Sequence, residues 1–264
     1  MRVFLLVVHL LFVCGAIYAQ GHALLFDRVD DRATIPDDYG DLDLGSSLTL
    51  ESWVKPFATG PWEPVIQGEF NTSGYLSWGI SLSDAGGWKC AIIASGVADL
   101  AYSPPGSITL GEWHHLVCTY DGTTIRIYQD GQPIASQVHS YGGPTMEVIR
   151  AMLGWYWPEF YLGGTIDEVS VWNVVRSKSE IAMDSLRCIS GMEPGLAGLW
   201  RLDEGDQQVV TDSSGNNNHG WLGSNGTVQD SDPLWVLSDA PLPCYVFTDG
   251  FESGDTSAWS STVP

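Results

Sequence analysis

The chain has 264 residues, 44% of them hydrophobic and only 16% charged, so it can bury a sizeable core and its bulk does not read as a disordered segment. Thirty-two acidic side chains stand against eleven basic ones, a formal charge of −21. Such a surface repels phosphate backbones and anionic lipid, which argues against nucleic acid as a partner, and it leaves carboxylates to spare for a hard cation.

Residues 1–19 carry one charge, Arg2, then an apolar run from Val3 to Val13, and end in small residues around Ala16 and Ala19. That pattern predicts a signal peptide cleaved after Ala19, hence a secreted or surface-exposed protein. No second apolar run follows, so no membrane span is expected in the mature chain. Without Arg2 the charge becomes −22, and without Cys14 four cysteines remain: Cys90, Cys118, Cys188 and Cys244. An even number in an exported chain predicts two disulfides, with three connectivities open. Their spacing is too wide for a zinc site.

From Leu24 onward the period is that of strands. Leu48, Leu50 and Val54 alternate with Thr49, Glu51 and Trp53 until Pro56, which predicts a strand with one buried face. Leu116–Tyr120, Thr124–Tyr128 and Pro133–Ile134 are separated by Asp121-Gly122 and Asp130-Gly131, so two hairpins in succession are expected. One helix is predicted, where Ser177 and Glu180 form a capping box ahead of Ile181, Met183 and Leu186 and Gly191 supplies the stop. The oxygen-rich run Asp212–Asn218 misses the spacing of a calcium-binding EF-hand and reads as a turn. Asn71-Thr72-Ser73 and Asn225-Gly226-Thr227 are glycosylation sequons, relevant only in a host that uses them. Thirty Gly and fourteen Pro spread between short apolar segments predict an all-β fold.

Four segments in order carry a resemblance: Ala23–Asp31 with Ile35-Pro36, Trp113–Val117 leading to Tyr120-Asp121-Gly122, Gly164–Asn173, and Gly198–Gly205 continuing to Asp212–Gly220. Together they resemble the laminin-G-like, or pentraxin-like, branch of the concanavalin A jelly rolls across roughly residues 23–225, in a form found in bacterial secreted proteins. The resemblance implies a two-sheet antiparallel jelly-roll sandwich with one short surface helix over residues 20–244, one sheet being concave and ligands meeting the rim loops or the concavity. Residues 245–264 look like a tail that recurs at the C-termini of exported bacterial proteins, and are expected to be extended or disordered.

The resemblance also implies a structural calcium ion. Asp27, Asp30 and Asp31 share a short acidic loop, and the family places the strand of Asp167 close by, so these four are the expected ligands. Alternatively, Arg28 and Arg32 neutralise the loop. Pentraxins carry a cluster of acids and amides before the Gly-Gly that opens the Asp167 strand, whereas here Gly154–Gly164 contains only Glu159, so pentraxin-type ligand binding through calcium is not expected. Cys118 matches a pentraxin cysteine whose partner position is held here by Ser52-Trp53, so the resemblance points instead to Cys90–Cys118, tying two strands of one sheet, and Cys188–Cys244, clipping the chain end to the sandwich.

Trp155, Tyr156, Trp157, Phe160 and Tyr161 form a dense aromatic run. Aromatic faces stack on the apolar faces of sugar rings, so Trp155, Tyr156 and Trp157, with Trp62 and also Tyr75, Trp78 and Trp88 drawn near, are the candidate ligand platform; the competing role is to fill the core. Glycoside hydrolysis needs two carboxylates across the scissile bond, but Asp167 and Glu168 are neighbours on a strand and so should face opposite ways. No Gly-x-Ser-x-Gly elbow and no Gly-rich phosphate loop is present. The expected function is therefore a non-enzymatic extracellular module that binds glycan, with an extracellular protein as the alternative partner and a glycosidase behind both.

Overall fold

A computed structural model of the chain describes residues 21–70 and 75–242. The expected signal peptide, the tail from 245, Cys244 and the Asn71 sequon fall outside the described residues. In chain order the strands are β1 His22–Asp27, β2 Ala33–Pro36, β3 Leu48–Pro56, β4 Glu63–Glu69, β5 Leu76–Ser83, β6 Gly87–Ala94, β7 Val97–Tyr102, β8 His114–Tyr120 and β9 Thr124–Gln129. There follow β10 Gln132–Val138, β11 Arg150–Leu153, β12 Trp155–Tyr156, β13 Phe160–Tyr161, β14 Gly163–Trp172, helix α1 Lys178–Asp184, β15 Leu196–Trp200, β16 Val209–Val210, β17 Gly220–Leu222 and β18 Leu234–Leu237. Among the described residues no helix is long and apolar enough to cross a membrane.

The strands build two eight-stranded antiparallel sheets, the sandwich expected from the sequence. The first runs β10-β9-β8-β3-β14-β1-β18, with β15 also on β14; the second runs β16-β17-β2-β11-β4-β5-β6-β7; β12 and β13 form a separate small hairpin. Leu24, Leu50, Leu116, Ile127 and Ile166 of the first sheet meet Ile35, Ile66, Ile80 and Ile92 of the second in one continuous core. Trp78 and Trp88 are fully buried in that core, which decides against their sugar-platform role, and Trp200 joins them there.

The meander β8-β9-β10 is as expected, with two different turns. Asp130-Gly131, both at positive φ, link Gln129 and Gln132 directly, the conformation a two-residue hairpin turn requires. The turn before β9 is longer, and the Asp121 carboxylate closes it by accepting from the amides of Thr123 and Thr124. The capping box at Ser177 and Glu180 forms, but α1 ends at Asp184 after seven residues instead of running on to Gly191. Leu186 donates to the carbonyl of Met183, which tightens the last turn and ends the helix.

Two further expectations need correction. The β3 strand is buried on both faces, because the outer side of the first sheet is covered too: Ile181 of α1 packs on Val117 and Tyr128, while Ile189 packs on Trp172 and Leu199. The second concerns the disulfide. Cys90 and Cys118 are bonded as expected, yet Cys90 lies on β6 of the second sheet and Cys118 on β8 of the first, so the bond crosses the core and joins the two sheets. Cys188 is also disulfide-bonded, while its expected partner Cys244 is outside the described residues.

Candidate functional site

Along β6, Trp88, Cys90, Ile92 and Ala94 enter the core, so period two turns Lys89, Ala91 and Ile93 outward. On β7, Ala101 points inward and Ala98 and Leu100 outward. Apart from Lys89, these outward residues, Ala91, Ile93, Ala98 and Leu100, are apolar. They form the floor of an open pocket of about 330 Å³, within the range of small-molecule sites. Its walls are Trp62 from the loop before β4, Tyr156 from β12, Phe70, Tyr75 and Leu76 at the β4–β5 connection, and Met146 ahead of β11.

Trp62 and Tyr156 stack with ring centroids 5.9 Å apart, and Tyr156 continues onto Phe160 at 6.3 Å. Lys89 Nζ lies 3.5 Å from the centroid of Trp62 and donates to the carbonyl of Pro61 at 2.7 Å. Burial of this ammonium pushes its pKa down to about 8, so the cation is held close to the ring rather than in water. Burial likewise raises the pKa of the Tyr156 hydroxyl, with the nearby Glu69 adding to the effect. The indole nitrogen of Trp62 is buried without a hydrogen-bond partner among the described residues. Trp62 also borders a second pocket of about 140 Å³ with Arg28, Glu63, Glu159, Phe160 and Tyr161.

Of the four aromatics singled out from the sequence, Trp62 and Tyr156 come together at the pocket. Trp155 and Trp157 do not line it. Trp155 is nearly buried beneath the guanidinium of Arg32, 5.3 Å from its ring, and Trp157 projects outward with 53% of its surface exposed. Phe70, Met146 and the floor residues were not anticipated. Their signal was present in β6 and β7, where Ala91, Ile93, Ala98 and Leu100 are apolar on a face that a solvated sheet would make polar.

The acidic loop after β1 brings Asp27, Asp30 and Asp31 together, with one carboxylate oxygen of each within 4.8 Å of the others. Asp31 accepts from the Asp27 amide, and burial, reinforced by Asp27 and Asp30, pushes its pKa up to about 7. Neither arginine neutralises the cluster, since Arg28 pairs with Glu63 at 2.6 Å and Arg32 lies over Trp155. Three convergent hard oxygens fit the chemistry of a calcium ion. Asp167 is not part of this cluster. Asp27 pairs with Gly163, four residues earlier on β14, which puts Asp167 about 13 Å along the strand at 3.3 Å per residue.

Asp167 and Glu168 do not face opposite ways as strict alternation demands. The β14–β3 register shifts between Asp167 and Ser170, and Glu168 takes φ 45°, a bulge that leaves both carboxylates between the inward Ile166 and Val169. Burial raises both pKa values, Glu168 to about 7; Glu168 adds to the cost of charging Asp167, and Asp203 adds to the cost of charging both. Asp167 accepts from Ser238, and Glu168 pairs with Arg201 at 3.4 Å. The cavity beside Glu168 is about 10 Å³, room for one water and no sugar ring.

A laminin-G-type profile of the concanavalin A-like lectin/glucanases superfamily matches residues 27–182, more than half the chain. The chain belongs to the concanavalin A-like lectin/glucanase superfamily. Among solved members of this superfamily fold, a candidate carbohydrate-binding protein from Bacteroides ovatus superposes with a TM-score of 0.63 at 19% identity, over 84% of this chain and 61% of that one. The family-40 carbohydrate-binding module of the Ruminococcus gnavus IT-sialidase, solved with α2,3-sialyllactose, gives 0.50 at 13% identity over 62% of this chain and 97% of the module. The SAP-like pentraxin of Limulus polyphemus gives 0.50 at 13%, covering 62% and 82%. By sequence, mouse pappalysin-1 is 33% identical over 78 residues, 28% of this chain and 5% of that protein. This chain therefore spans a small fraction of that relative and about three fifths of the Bacteroides structure. These likenesses describe a jelly roll; ligands are a matter of each protein's own site.

Proposed function

We propose that the chain is an exported, non-enzymatic glycan-binding module whose site is the pocket walled by Trp62 and Tyr156. The observation that carries this reading is the aromatic lining, Trp62, Tyr156, Tyr75 and Phe70, of an open pocket on a sheet's outer face, since aromatic side chains pack on the apolar face of a sugar. The sialyllactose held by one structural neighbour, and the description of another as a candidate carbohydrate-binding protein, support it. A glycosidase would need a pair of carboxylates in a sugar-sized cleft, whereas Asp167 is buried against Ser238 and the cavity that Glu168 borders is too small for a sugar ring. In this reading a calcium ion on Asp27, Asp30 and Asp31 braces the loop that joins β1 to β2 and carries Arg28 to the neighbouring pocket.

The test is a glycan array with the purified chain, followed by titration of the best sugar. Trp62→Ala is expected to weaken binding at least tenfold, as loss of a central aromatic contact does, with the far-UV spectrum unchanged. Silence across every glycan overturns the reading and leaves recognition of another protein as its replacement. For the ion, calcium is expected to raise the melting temperature by several degrees over chelator, and Asp31→Asn to abolish the difference. Identical melting with calcium and with chelator removes the ion.

A further inference from the structure

The pocket's lining says more about its ligand than its aromatic mouth does. Among the described residues none that lines it is charged, and their side-chain polar groups are the hydroxyls of Tyr75 and Tyr156 and the indole nitrogen of Trp62. The Tyr156 hydroxyl is already engaged by the backbone of Leu76. The pocket runs from Trp62, which sits beside Lys89, along β6 to Gly96 at the turn into β7, over a floor of Ala91, Ile93, Ala98 and Leu100. A sugar ring set against the aromatic pair lies close to the Tyr75 hydroxyl and the Lys89 ammonium. A second ring on the floor would surrender its hydroxyls' water without gaining donors or acceptors, since the floor offers only apolar side chains.

We infer that the ligand is a glycan bearing an apolar substituent, an alkyl, acyl or aryl group, with the sugar at Trp62 and Tyr156 and the substituent laid over Ala91, Ile93, Ala98 and Leu100. The inference rests on the glycan reading and narrows it. Small residues on the floor serve this arrangement, because Ala91, Gly96 and Ala98 leave depth for a chain that larger side chains would fill. Ala98 is exposed to solvent, so in the free protein this floor is wet apolar surface that a substituent would cover.

The experiment compares matched pairs of probes on the full chain: methyl and octyl glycosides of glucose, galactose, mannose and N-acetylglucosamine, each below its micelle concentration, with octanol as the sugar-free control. Octyl glycosides of the preferred sugar are expected to bind at least tenfold tighter than methyl glycosides, the gain from burying about two of the added methylenes. Octanol alone is expected to bind more weakly than the octyl glycosides. In Ala98→Asp, whose exposed position tolerates the carboxylate, the octyl-to-methyl ratio should fall to near one. Equal affinity of the methyl and octyl forms in the unmodified chain overturns the inference and leaves the glycan reading standing. Octanol binding as tightly as every octyl glycoside, or no binding by any glycoside, overturns both.

Discussion

Replacing Cys90 and Cys118 together by alanine is expected to lower the unfolding free energy by about 3.5 kcal/mol, the chain-entropy value for a crosslink over 28 residues. Both sulfurs are buried in the core, so the free thiols of a reduced protein would find no compensating solvation. The bond does more than shorten a loop. It joins the two layers of the sandwich at β6 and β8, and Cys90 sits between Lys89, which holds Trp62 by its ring, and Ala91 of the pocket floor. A shift of roughly 7–14 °C in melting temperature follows from that loss at about 2–4 °C per kcal/mol. Urea titration with an unchanged m value checks that the native state is what changed. A loss under about 1 kcal/mol would mean that sheet packing alone sets the separation of the layers and that the crosslink is dispensable.

The architecture was legible because alternation and turn chemistry are local. Leu48, Leu50 and Val54 had to share a face whatever lay around them, and Asp130-Gly131 could hardly serve anything but a tight hairpin. The disulfide partners were legible too, but not that they lie in different sheets, since sheet membership is fixed by which strands cross over and nothing in a strand's own residues records it. The same ignorance of topology hid the site. The run from Trp155 to Tyr161 suggested one platform, whereas the hairpin β12–β13 turns Trp155 under Arg32, sends Trp157 outward and gives only Tyr156 to Trp62, a residue more than ninety positions away in sequence. Period-two reasoning failed at Asp167-Glu168 for a different reason. A bulge adds one residue to one strand and leaves no signature in composition.

That bulge leads to the second large effect, which is expected in the pH profile of stability. Glu168 is buried on the covered side of the first sheet, with Arg201 as its counter-charge and Asp203 as a like charge, and it in turn raises Asp167; Glu51, His115, Asp184 and Arg187 border the same small cavity. Burial dominates and lifts its pKa from an ordinary 4.5 to about 7 in the folded chain. Between those values the folded state binds a proton that the unfolded state has released, so the stabilisation is full below pH 4.5 and is lost as pH rises through 7. Over the whole span the loss amounts to about 3 kcal/mol, at 1.36 kcal/mol per unit. Burial raises other carboxyls too, Asp31 to about 7 and Asp167 in the same direction, so the quantity to measure is the difference between the unmodified chain and Glu168→Gln by urea unfolding from pH 4 to 8. The amide keeps the shape and removes the proton, so the unmodified chain should lose stability relative to the variant as pH climbs from 5 to 8. Parallel profiles would show that Arg201 compensates the charge fully in the folded state, and the carboxyl would then belong to an ion pair that persists at every pH in that range.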